Sequence, residues 1–102
     1  MAYSVEWAES AIAAVAEQAE YIARDSPSYA ATLIAKIEKA ANSLFQFPNR
    51  GRIVPEYGEE AIRELFVDRY RLIYRVRTTS LLIAAFAHGA RDLASILPTI
   101  EQ

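Results

Sequence analysis

The sequence predicts an α+β fold of two layers in the order βααβββ, a helical hairpin packed on an antiparallel sheet. Three observations predict it. Apolar residues recur at helical spacing between about residues 8 and 44. After Glu60 the period drops to two, the signature of half-buried strands. Between these regions, residues 48–60 (PNRGRIVPEYGEE) concentrate Pro48, Gly51, Pro55 and Gly58, so the chain changes there from one regime to the other through an irregular connection. A length of 102 residues suits one domain, 1–102, with 93–102 as a C-terminal tail.

The elements follow in order. Residues 3–7 (YSVEW) alternate and carry β-branched and aromatic side chains, which predicts an opening strand. From about Ala8 to Arg24, the positions Ala8, Ala11, Ile12, Val15, Ala19 and Ile22 form an apolar stripe, with Glu9, Glu17, Gln18 and Glu20 elsewhere on the wheel. Asp25-Ser26-Pro27 ends this helix and starts the next, with Ser26 as cap and Pro27 at the first helical position. The second helix presents Ala30, Leu33, Ile34, Ile37, Ala41 and Leu44 on one face and ends before Pro48.

Strands are predicted at about 61–67, 70–77 and 81–88, with tight turns at Asp68-Arg69 and Thr78-Thr79. In the middle strand Leu72, Tyr74 and Val76 alternate with Arg71, Ile73, Arg75 and Arg77, so one face is apolar and the other cationic. The hairpin of helices covers the apolar face. In the tail, Leu93, Ile96, Leu97 and Ile100 are apolar at helix-like spacing, which suits packing on the domain or completing a groove for a partner.

Composition excludes several function classes. With no cysteine there is neither a disulfide framework nor a thiolate metal site, and thiol catalysis is ruled out. No metal and no cofactor are expected. No stretch approaches the roughly 20 apolar residues of a membrane helix and no secretory signal opens the chain, so the expectation is a cytoplasmic protein with no membrane partner. The formal net charge of -2 hides a segregation of charge. Residues 1–49 hold three basic and six acidic side chains, whereas residues 61–91 hold Arg63, Arg69, Arg71, Arg75, Arg77 and Arg91 against Glu64 and Asp68. Arginine's planar fork suits bidentate recognition of carboxylate or phosphate.

The order of elements and several strings resemble the RelE/ParE superfamily, the toxins of type II toxin–antitoxin operons often labelled plasmid stabilisation proteins. The strings are the strand ending in Trp7, Tyr21-Ile22, Phe47-Pro48, Gly51-Arg52, Val54-Pro55-Glu56, Arg63-Glu64, Tyr70 through Val76, and His88-Gly89-Ala90-Arg91-Asp92-Leu93. The resemblance implies a bacterial, growth-inhibiting toxin neutralised by a cognate antitoxin, alone as a homodimer or in a hetero-oligomer with that partner. It leaves three functions open, because a shared fold does not separate them.

One is a ribosome-dependent mRNA endonuclease of RelE or YoeB type, whose partners are the ribosome and mRNA. Metal-free RNA cleavage needs a base, an acid and fixed positive charge at the phosphate, and Glu56, Arg71 and His88 resemble the YoeB-type catalytic residues in order. The RelE type relies on a denser set of lysines and arginines with a terminal tyrosine, and this sequence has no lysine after Lys39. The second function, favoured by the ending that continues past His88, is a ParE-like inhibitor that acts by binding DNA gyrase. On that reading Arg63, Arg71, Arg75 and Arg91 form a surface for the target or the antitoxin. The third is a degenerate member that keeps the fold and has lost toxicity.

Overall fold

The computed structural model describes residues 4–89, which form β1 (Ser4–Trp7), α1 (Glu9–Ala23), α2 (Pro27–Ser43), β2 (Arg52–Ile53), β3 (Ile62–Val67), β4 (Tyr70–Val76) and β5 (Ser80–His88). Arg91 and the apolar tail positions from Leu93 onward lie outside the described residues, as does their expected packing. Each predicted element is present within one or two residues of its expected ends. The sheet order is β1-β5-β4-β3-β2.

Local chemistry explains the helix starts. Ser26 caps α2 by accepting the Tyr29 amide at 3.2 Å, with Pro27 at the first position, where its missing N–H is no loss. Glu9 in the first turn of α1 complements the helix dipole. The hairpin lies over one face of the sheet and closes a core of Ala11, Leu33, Ile37, Ala41 and Leu44 against Leu65, Val67, Tyr70, Leu72, Tyr74, Leu81, Ile83 and Phe86. Two expected core residues sit elsewhere. Ile12 is 54% exposed and Ile34 is 37% exposed. Both lie at one margin of their helical stripes, and the stripes roll onto the sheet toward the other margin, where Ala14 and Ala40 pack against the core.

The Asp68-Arg69 turn is a two-residue hairpin link closed by the Val67–Tyr70 pair. Asp68 adopts φ 54°, which a short polar side chain tolerates. Its carboxylate accepts Lys36 Nζ at 2.9 Å and the Tyr29 hydroxyl at 3.0 Å, fastening the turn to α2.

Two features depart from the expected sheet. β1 runs parallel to β5, from Ser4 opposite Ser80 to Trp7 opposite Ile83, so the sheet is mixed although the β3-β4-β5 meander is antiparallel. β1 and β5 are separated in the chain by the helical hairpin and three strands, so no tight turn forces them antiparallel, and strand periodicity carries no information on direction. The second departure is on the outer face, which is not a solvated cationic surface. Residues 52–60 fold back over it, adding the short β2 and a second apolar cluster of Val54, Ile62, Ile73, Ala84 and Ala85 with Tyr57 packed on it. Gly51 makes that fold-back feasible. A Cβ there would stand 2.6 Å from both the Glu64 carbonyl oxygen and the Tyr74 hydroxyl, and its amide donates to that hydroxyl at 2.9 Å.

Candidate functional site

The outer face of β3 and β4 carries a chain of alternating charges. Ile62, Glu64 and Phe66 share a face of β3, and the register sets Phe66 opposite Arg71 and Glu64 opposite Ile73. Arg71 is therefore diagonal to Glu64 on the same face, within reach of a long side chain. Its Nε donates to Glu64 Oε1 at 2.5 Å. The other Glu64 oxygen accepts Arg52 Nε at 2.6 Å from β2. From the overlying loop, Glu56 accepts both terminal nitrogens of Arg71, each at 2.9 Å. The order Arg52–Glu64–Arg71–Glu56 alternates in sign, and two guanidinium groups balance two carboxylates.

Burial is uneven along this chain. The Glu64 side chain is 0% exposed and that of Arg71 5%, whereas Arg52 and Glu56 keep 56% and 47%. The inner pair is desolvated and the outer members face water. The Arg52 guanidinium also lies 5.1 Å from the centre of the Phe66 ring, which is itself exposed. Hydrogen bonds from Arg71 hold the Glu56 carboxyl below its usual range, and the Glu56 carboxylate, with Glu64 behind it, strengthens the proton hold of Arg71 despite its burial.

The expected nuclease residues divide between the two faces. Glu56 and Arg71 meet on the outer face. His88 pairs with Tyr70 across β4 and β5, and Tyr70 belongs to the core beneath the helices. The His88 ring meets the Tyr70 ring edge-on at 5.7 Å and lines a cleft with Glu17 and Gln18 of α1. A β-bulge causes this. Ile73 pairs with Ala85 but Tyr74 pairs with Ile83, leaving Ala84 extra on β5. Ala84 and Ala85 both point outward as a result, and every later residue is shifted by one phase. Without the bulge, His88 would share the Arg71 face.

Of the arginines expected to form one surface, Arg71 and Arg75 share the outer face of β4 and Arg63 does not. Arg63 lies opposite Tyr74, on the helix side of β3, and donates to the carbonyls of Glu60 (2.9 Å), Gly51 (3.0 Å) and Asn49 (3.4 Å), which anchors the connection. Arg71 is consumed by two carboxylates. Arg75 is half-buried opposite Ile62. Arg91 lies outside the described residues.

Glu64 and Arg52 were absent from the expected site. A signal for Glu64 exists in the sequence: it sits between Ile62 and Phe66 at the period of two, so a carboxylate shares a strand face with two large apolar side chains and requires a cation once that face is covered. Among the described residues no group of three or more His, Asp or Glu side chains is placed to hold a metal ion. No helix of the described residues is long and apolar enough to cross a membrane.

The family model described as ParE toxin of type II toxin-antitoxin system, parDE, matches residues 5–93. A chain from the structure titled "Chromosomal ParDE TA system from P. aeruginosa" is similar, with a TM-score of 0.69 and 20% identity over 84% of this chain and 95% of that one. At that identity the likeness bears on the fold alone. No curated protein matches.

Proposed function

Because this chain belongs to the ParE toxin family of type II toxin–antitoxin systems, we propose that it inhibits growth by binding its target, that the target is DNA gyrase, and that a cognate antitoxin neutralises it in the cytoplasm. The observation that carries the binding mode is the division of Glu56 and Arg71 from His88 by the sheet. A general base works best with a pKa near the operating pH and needs an acid across the reacting phosphate. Glu56 is held as a carboxylate by both of its oxygens, and the histidine faces α1. Positive charge at Arg71 is already neutralised, which leaves little to stabilise a phosphorane-like transition state.

The test is induction of the chain in bacteria with and without the product of the neighbouring reading frame, followed by growth, by mRNA integrity at translating ribosomes, and by supercoiling with purified gyrase. The expected result is arrest relieved by the neighbour, inhibited supercoiling and intact mRNA. Cleaved mRNA with normal supercoiling would replace this reading with a ribosome-dependent nuclease. Normal growth at verified expression would replace it with a degenerate member of the family.

A further inference from the structure

The short β2 accompanies β3 only at Arg63 and Glu64. Past that pair, among the described residues, the edge of β3 stands beside no further strand, and an open groove of about 310 Å³ lies between it and α2. Its floor is apolar, made by Ala40, Val67 and the exposed ring of Phe66. Its walls are basic. Lys36 is neutralised by Asp68 at 2.9 Å, but Lys39 and Arg50 reach no carboxylate within ion-pair distance among the described residues. Arg50 is aimed by its hydrogen bond to Ser43 Oγ at 2.6 Å. On the strand side the Arg52 guanidinium lies 5.1 Å from the centre of the Phe66 ring. The groove therefore joins two uncompensated cations to an exposed aromatic face with a guanidinium beside it.

We propose that this groove binds a single strand of nucleic acid, with phosphates set against Lys39 and Arg50 and an unpaired base laid on Phe66. The cations select the backbone. Arg50 offers a planar fork that matches a pair of phosphate oxygens, and Lys39 adds a second point of positive charge along the same groove. The ring selects the base, because stacking on an aromatic face is what a phosphodiester strand gains there and what inorganic phosphate or a run of carboxylates cannot use. Arg52 beside the ring adds a cation to that stack. A duplex keeps its bases stacked within itself and has none to lay on Phe66. The net charge of -2 does not oppose this binding. Glu9, Glu17 and Glu20 are solvated on α1, a different element, and at a screening length of about 10 Å the local charge of the groove governs the encounter. The proposal stands apart from the toxin reading, since it concerns this chain alone, without antitoxin or gyrase.

The test is fluorescence anisotropy of labelled oligothymidylate and oligouridylate, each of roughly 12 nucleotides, titrated with the full-length chain between about 50 and 200 mM salt. Wild type is compared with Lys39→Gln/Arg50→Gln and Phe66→Ala, whose positions are all exposed, and circular dichroism confirms folding. Arg77→Gln, exposed and outside the groove, is the charge control. Removing both cations should weaken binding roughly 30-fold at the lowest salt and flatten the logarithmic salt slope by about 1.4, at roughly 0.7 for each phosphate released. Phe66→Ala should weaken it roughly 10-fold with the slope unchanged, and Arg77→Gln should change neither. The DNA and RNA probes separate the two sources of such a strand, and a preference for either agrees with the proposal. Absence of binding by wild type overturns it, as does an unchanged salt slope in the double variant. Tighter binding of the matching duplex, or equal displacement by oligoglutamate, overturns it too, by making the groove a general anion site. None of these failures touches the toxin reading, which is measured by growth and supercoiling.

Discussion

The side of the sheet under the helices and the side under residues 52–60 are closed by different means. Beneath α1 and α2 the core cluster holds only apolar and tyrosine side chains, with Leu33, Leu44, Leu72 and Ile83 at 1% exposure or less. Beneath the fold-back, Ile62, Ile73, Ala84 and Ala85 share the face with a buried Glu64 and a buried Arg71, and Val54 packs on them from the fold-back itself. Apolar burial is non-directional and tolerates small shifts, whereas a desolvated ion pair stabilises only when every partner is in place. The helical side therefore supplies most of the driving force, and the outer side fixes where residues 52–60 lie.

The largest expected effect comes from breaking that ionic chain at its centre. Glu64→Ala leaves Arg71 desolvated with one partner and should cost about 3–5 kcal/mol, read by urea denaturation. Replacing both members, Glu64→Leu with Arg71→Met, should recover most of that loss, because two apolar side chains need no partners. If the double variant is as unstable as the single one, the outer side depends on its charges for more than placement.

Adjacent residues of β4 sharpen the contrast further. Leu72→Ala opens a cavity under the helices and should cost roughly 3–5 kcal/mol, whereas Ile73→Ala lies under a loop that can settle into the space and should fall near 2 kcal/mol. Equal losses in thermal unfolding would show the two clusters to be equally rigid.

A smaller effect, with a defined pH dependence, belongs to Glu56. Its folded-state pKa is lowered by the Arg71 hydrogen bonds, so its contribution is fully present above the ordinary value of 4.5 and is lost as pH falls through the lower folded value. Because the side chain is half-exposed, Glu56→Gln should cost no more than about 1 kcal/mol at neutral pH. The gap between the two proteins should close on acidification. A gap that widens toward acid pH would mean that Arg71 is not the group holding the Glu56 proton off.

The smallest effect is expected from His88→Ala, which faces α1 and should leave growth arrest within about twofold of wild type on the binding reading. Arrest abolished by this substitution in a chain that remains folded would return His88 to the site.

Much of this was legible in the residues. Helical stripes, the Ser26-Pro27 start and the Asp68-Arg69 turn each rest on contacts within a few positions, which local sequence specifies. So do the strands of the meander, whose alternation is read directly. Less legible were the partners of the charged side chains. Arg71 was visible as a strand arginine pointing away from the helices, and that direction holds. What meets it there, Glu64 from the next strand and Glu56 from a fold-back, depends on register and loop path. Arg63 was grouped with it although it stands one phase away on the neighbouring strand, held by backbone carbonyls.

The sequence by itself determined the kinds of element, their order and the apolar surfaces that had to be joined, because each follows from the period of side chains along a local backbone. Only the tertiary structure decided the parallel seat of β1, the cover over the outer face and the side on which His88 lies. Those depend on which strand lies beside which and on one extra residue at Ala84. A single-residue bulge reverses the facing of everything after it, and no local pattern in residues 81–88 announces it.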